Sequence, residues 1–176
     1  WLSEKGIREV FLVGTTAMRS MLTAGGFITD SPNPEYVVLG YDTEITYQKL
    51  AEAACFLQQG IPLVASHPDT VCPTPQGGLP DVGSFLALLE AATGVQPEHI
   101  CGKPNPSVLR SKLATLGLAA QQSAVVGDRL YTDIEMANRA GATGILVLSG
   151  EAQRADLANA PQQPDLILDS IDGLLR

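Results

Sequence analysis

The sequence predicts an α/β protein built on parallel sheet. Short apolar runs rich in Val, Leu and Ile recur along the chain, helix-length amphipathic stretches lie between them, and Gly or Pro marks most junctions. Strands that alternate with helices fit parallel sheet covered by helices. Residues 9–13 (EVFLV) read as a strand ended by Gly14, and residues 15–24 as a helix closed by Gly25-Gly26. A loop with Pro32 and Pro34 leads to a strand at 36–39. Residues 46–59 read as a helix, because Leu50, Ala54 and Leu57 recur at three- and four-residue spacing before Gly60. Residues 62–65 (PLVA) form a third strand. The stretch 66–83 is rich in Pro and Gly and predicts no helix; 84–93 is helical up to Gly94.

A second series follows. Residues 105–116 read as a helix with Pro106 in its first turn, where proline is tolerated. A strand is expected at 123–126, a helix at 132–140, strands at 144–148 and 166–168, and a last helix from Ser170. No internal repeat and no low-complexity segment stands out.

Composition narrows the function. The 176 residues amount to one domain or two small ones, and 45% apolar content is enough for a core. Eleven Lys and Arg against 19 Asp and Glu give a formal charge of −8, which argues against nucleic acid and against an anionic membrane surface. No apolar run approaches the roughly 20 residues of a membrane span. Cys55, Cys72 and Cys101 are widely spaced and form no CxxC pair, so a zinc knuckle or a disulfide framework is not indicated, and a reducing, cytoplasmic setting is expected. The chain opens on Trp1 rather than Met and has no signal-peptide pattern, so it is expected to be a fragment of something longer.

The sharpest chemical pattern is residues 124–133, AVVGDRLYTD. A β-branched strand ends at Gly127, and Asp128 stands at its C-terminal tip, the edge where open α/β sheets bind ligands. Asp133 follows at a helix start. Two carboxylates so placed can serve a hard cation, since Mg²⁺ prefers oxygen ligands. The blander alternative is a turn aspartate and a helix-capping one. Lys103, between Gly102 and Pro104, can offer an ammonium to a phosphate, although a solvated loop lysine is the simpler explanation of this tripeptide taken alone. A helix and a strand separate Lys103 from Asp128, so the two are expected on adjacent strand ends of one sheet edge.

This lysine followed by GDxxxTD resembles the haloacid dehalogenase-like hydrolase superfamily, and within it the class IIA, NagD-type or p-nitrophenyl phosphatase-like members. Residues 37–42 (VVLGYD) with Thr46-Tyr47 are similar to that group's cap domain, and 66–69 (SHPD), 72–74 (CPT), 79–81 (LPD), Gly83-Ser84 and 92–94 (ATG) follow in the family's order. The resemblance implies an α/β cap domain at 1–101 followed by the C-terminal half of a Rossmann-like parallel-sheet phosphatase core at 102–176. It implies a Mg²⁺-dependent phosphomonoester hydrolase of small soluble metabolites, such as a sugar phosphate, phosphoglycolate, a nucleotide or p-nitrophenyl phosphate. In the family a DxDG aspartate attacks phosphorus to form an aspartyl-phosphate, with metal and lysine supporting the developing charge. Carried over residue by residue, the resemblance makes Lys103 and Asp133 catalytic, Lys103 also substrate-binding, Asp128 the metal ligand, and His67 and Asp69 substrate-binding, the blander alternatives for the last two being a structural loop histidine and an aspartate that braces the cap loop. The resemblance also makes a homodimer a possible assembly.

The sequence departs from the family at one point. Its ten aspartates include no D-x-D, so the nucleophile and its acid/base partner are not in it. Ser66, at the end of PLVAS, is set aside as the family's second-motif residue because this stretch belongs to the cap. The expectation is that the missing motifs precede Trp1, that the strand at 123–126 exposes an unpaired edge, and that the chain alone is inactive. The alternative is a non-catalytic metal- or phosphate-binding or interaction module derived from the same fold.

Overall fold

The computed structural model describes residues 1–175, which form two compact units, one of residues 1–102 and one from residue 103 onward. Both are α/β with parallel sheet.

The first unit begins with β1 (Val10–Val13), α1 (Thr16–Ala24), β2 (Tyr36–Leu39), α2 (Tyr47–Gln58) and β3 (Leu63–Ala65). A hairpin of β4 (Val71–Thr74) and β5 (Gly77–Pro80) follows, then α3 (Val82–Thr93) and a two-residue β6 (His99–Ile100). Strands β1, β2, β3 and β6 lie side by side in that order, all parallel, with Phe11 opposite Val37 and Val37 opposite Leu63. The period-2 pleat then sorts the side chains. Phe11, Val13, Val37, Leu39, Leu63 and Ala65 share one core with Ala53 and Leu57 of α2 and with Leu89 of α3. Val10, Leu12, Tyr36, Val38 and Val64 form the other face, packed against Met18, Leu22 and the segment from Trp1 to Ile7. Both faces are covered, which is why these strands read as unbroken apolar runs.

Local chemistry sets the helix ends. The Thr15 hydroxyl accepts from the Met18 N–H and the Thr46 hydroxyl from the Lys49 N–H. The helix expected from Ser84 starts two residues earlier, because the Asp81 carboxylate accepts from the Val82 N–H. Asp42 has a fully buried side chain and pairs with Lys49 at 2.9 Å, while its second oxygen accepts from the Glu44 N–H. The Lys49 ammonium also donates to the carbonyls of Gly14 and Glu44, each at 3.1 Å. All three of its donors are used, and they join the ends of β1 and β2 to the start of α2.

The second unit holds α4 (Ser107–Leu116), β7 (Ala124–Gly127), a wide π-helical turn over Leu130–Ile134, α5 (Glu135–Ala140), β8 (Thr143–Val147) and β9 (Leu166–Leu168). Its sheet is parallel in the order β7-β8-β9. Leu130, Ile134, Leu146 and Ala152 make its core. Among the described residues β7 pairs only with β8. Two expectations need correction. The helix expected from Thr132 is a π-helical turn before α5, because the Ile134 N–H reaches the Arg129 carbonyl five residues back. Lys103 does not follow a strand adjacent to β7, because the strand before it, β6, pairs with β3. No helix among the described residues is long and apolar enough to cross a membrane.

Two predictions follow from the first unit. Lys49→Met leaves a buried carboxylate without its cation and should cost about 3–5 kcal/mol in urea unfolding. Adding Asp42→Asn should recover a large part of that loss, and a double variant no more stable than the single would show the pair is not the cause. Glu35 accepts from the backbone N–H groups of Arg8 and Glu9, which hold its carboxyl below the usual value. Its stabilising contribution is therefore complete above the ordinary glutamate pKa of about 4.3 and is lost as pH falls through the lower folded value. Glu35→Gln should flatten the acid limb of stability against pH.

Candidate active site

The candidate site of the second unit grows from one close approach. Asp133, 5% exposed, sits in the π-helical turn with its carboxylate against Gly127. A Cβ on Gly127 would lie 2.3 Å from Asp133 Cβ and Cγ, so only glycine lets the turn close here. The Arg129 N–H donates to Asp133 Oδ2 at 3.2 Å, and the Lys103 ammonium donates to Oδ1 at 2.6 Å. A carboxylate this buried needs a charged partner, and Lys103 is that partner. Lys103 is itself half exposed, and Asp133 is the contact its ammonium makes among the described residues. In contrast to Lys49, it keeps donors for an anion. Asp133 is thus neither a plain helix cap nor solvated, and Lys103 is not a loose loop lysine.

Asp128 follows Gly127 at the tip of β7. Its Oδ2 accepts from the Glu151 N–H at 2.8 Å, and its backbone carbonyl from the Ala152 N–H at 2.9 Å. The loop after β8 comes so near that a Cβ on Gly150 would stand 2.1 Å from Asp128 Oδ2. Among the described residues Asp128 Oδ1 accepts no hydrogen bond. The donor set therefore fits Mg²⁺ bound through one carboxylate oxygen and several waters, the usual coordination of that ion. Asp133, bonded on both oxygens, fits an indirect place better than a direct one. The Thr132 hydroxyl, between the two, is the one buried side-chain polar atom among the described residues without a partner.

The residues read in the first unit form a cluster at the end of β3. His67 Nδ1 lies 2.9 Å from the Ser66 hydroxyl and Nε2 lies 2.8 Å from Asp81 Oδ1. One ligand atom from each of His67, Asp69 and Asp81 falls within 4.8 Å of the others. Burial, with the neighbouring Cys72 thiol and then Asp81, pushes the Tyr41 phenol up. The sequence singled out His67 and Asp69 and missed their partners. Ser66 looked like a strand end and Asp81 like the start of α3, which it also is. Glu151, Gly150 and their hold on Asp128 were missed as well. The only signal was a glycine just past a strand that neighbours β7.

Known proteins resemble this chain in sequence and fold. The HAD-hydrolase-like family profile matches residues 100–174. A dihydroxyacetone phosphatase of Corynebacterium glutamicum is 35% identical over 93% of this chain and 59% of its own length. A 4-nitrophenylphosphatase of Thermotoga maritima superposes with a TM-score of 0.92 at 40% identity, over 98% of this chain and 66% of that one. NagD of E. coli K-12 gives 0.85 at 31% identity, over 93% and 64%. A glycerol phosphate phosphatase of Mycobacterium tuberculosis, solved in complex with magnesium, gives 0.85 at 37% identity, over 92% and 50%. The chain spans about three fifths of the length of the curated relatives it matches. With the Lys103–Asp133 pair, the GDxxxTD turn and these likenesses together, the chain belongs to the class IIA, NagD-type group of the haloacid dehalogenase-like hydrolases.

Proposed function

We propose that this chain supplies the cap domain, residues 1–101, and the C-terminal half of the core, residues 102–176, of a Mg²⁺-dependent phosphomonoester hydrolase of small soluble metabolites. The observation that carries the reading is the 2.6 Å pair between Lys103 and the buried Asp133, with Asp128 beside it at the tip of β7. Relatives named as phosphatases of dihydroxyacetone phosphate, of 4-nitrophenyl phosphate and of glycerol phosphate support the substrate class.

The residues divide the work. Asp133 holds Lys103 in one place, and the ammonium meets the negative charge of the phosphoryl oxygens. Asp128 offers a carboxylate oxygen to Mg²⁺, and the bound ion would supply charge neutralisation at the transferring phosphoryl group. His67 and Asp69 of the first unit are read as substrate-binding. The attacking aspartate belongs to a DxDG segment outside this sequence. Its carboxylate oxygen would form the new bond to phosphorus as the bond to the leaving oxygen breaks, and that oxygen would take a proton from the motif's second aspartate. The widely spaced cysteines support a cytoplasmic setting, and a homodimer is one possible assembly. A non-catalytic metal- or phosphate-binding module is the second reading, favoured by the absence of any D-x-D from the sequence.

One assay separates them. This chain alone should hydrolyse p-nitrophenyl phosphate no faster than a blank, with or without Mg²⁺. In a longer protein carrying the DxDG segment, Lys103→Ala and Asp128→Ala should each lower kcat/KM by about 10²-fold or more. Turnover by the chain alone that Asp128→Ala abolishes would put the nucleophile elsewhere. Near-normal rates in either variant of the longer protein would refute that residue's role.

A further inference from the structure

The loop after β8 is tied to the tip of β7 by one side chain. Glu151 Oε2 lies 2.7 Å from Arg129 Nε, and its Oε1 accepts from the Tyr131 hydroxyl at 2.8 Å. Arg129 and Tyr131 are the first and third residues after Asp128, and the backbone N–H of the same Glu151 donates to Asp128 Oδ2. One residue therefore grips the segment beyond Asp128 with its carboxylate and Asp128 itself with its amide. The Ala152 N–H adds a bond to the Asp128 carbonyl. Gly150 lets the loop come this close, since any Cβ there would overlap the Asp128 side chain.

Stability is a poor reason for this arrangement. The Glu151 side chain is 46% exposed, and pairs this exposed contribute little to folding. Geometry is a better one. A carboxylate that ligates a cation through a single oxygen performs best when its other oxygen is held, and groups that hold it tune the affinity. We propose that Glu151 is a positioning residue for Asp128: by binding Arg129 and Tyr131 it holds the loop on the β7 tip, so that its amide fixes Asp128 Oδ2 and leaves Oδ1 for a divalent cation. The proposal rests on the reading of Asp128 as a metal ligand.

The test is cation binding, read without turnover. Mn²⁺ serves as the probe, titrated into the ¹⁵N-labelled protein while paramagnetic broadening of backbone amides at 127–133 and 149–152 is followed. Glu151→Ala should weaken apparent Mn²⁺ affinity about three- to tenfold, with an unchanged thermal midpoint. Glu151→Gln, which still has an oxygen to accept from Tyr131, should keep most of the affinity. Should Glu151→Ala fail to fold, Glu151→Gln combined with Tyr131→Phe should show the loss instead. If Asp128→Ala stops the broadening but the Glu151 variants bind like the parent, the positioning role is overturned while the metal reading stands. If Asp128→Ala itself binds like the parent, both are overturned.

Discussion

The contact between Asp133 and Gly127 is the constraint on which the second unit's site depends. A charged group is packed against a strand end in a space that only glycine leaves open. The wide turn at Leu130–Ile134 puts the carboxylate there, and burial makes a cation partner necessary. Lys103 is fixed by that need, and Asp128 is fixed by standing next to Gly127. The position of each of the three charged residues thus follows from the burial of one.

Two lysine–aspartate pairs among the described residues show how the same chemistry serves different ends. Lys49 is mostly buried and spends every donor on Asp42 and two carbonyls. It closes a junction and has nothing left to offer. Lys103 is half exposed and bonded to Asp133 on one side. Its charge is localised yet accessible, and it keeps donors that Lys49 does not. Exposure and the count of used donors separate the two roles, where residue type and partner do not.

Much of this was legible in the sequence. The strands at 36–39 and 166–168 match residue for residue, because each is a continuous apolar run bounded by turn residues. Asp128 and Asp133 drew attention because both lie in one dense motif, GDxxxTD, and Lys103 because it stands between Gly102 and Pro104. What escaped had no local signal. The β4–β5 hairpin contains Pro73, Pro80 and two glycines and has no buried face, so no alternation marks it. Strand β6 is two residues long and exists by pairing with β3. The π-helical turn answers to the seating of Asp133, a tertiary demand. Glu151 lies 23 residues from Asp128 with no motif linking them, and only the parallel pairing of β7 with β8 brings them together.

The hairpin has a consequence of its own. Its strands add no residue to either core of the first unit, and Val71 and Leu79 are each about half exposed. It is anchored mainly at its base, where the Asp81 N–H and the Ser84 hydroxyl donate to the Thr70 carbonyl. Residues beyond that anchor can be lengthened, shortened or exchanged while the sheet and its two packed faces keep their stability. Selection can therefore rewrite this stretch on a timescale closed to the strands beneath it. A family that shares one chemistry and differs in what it acts on needs such a separable segment.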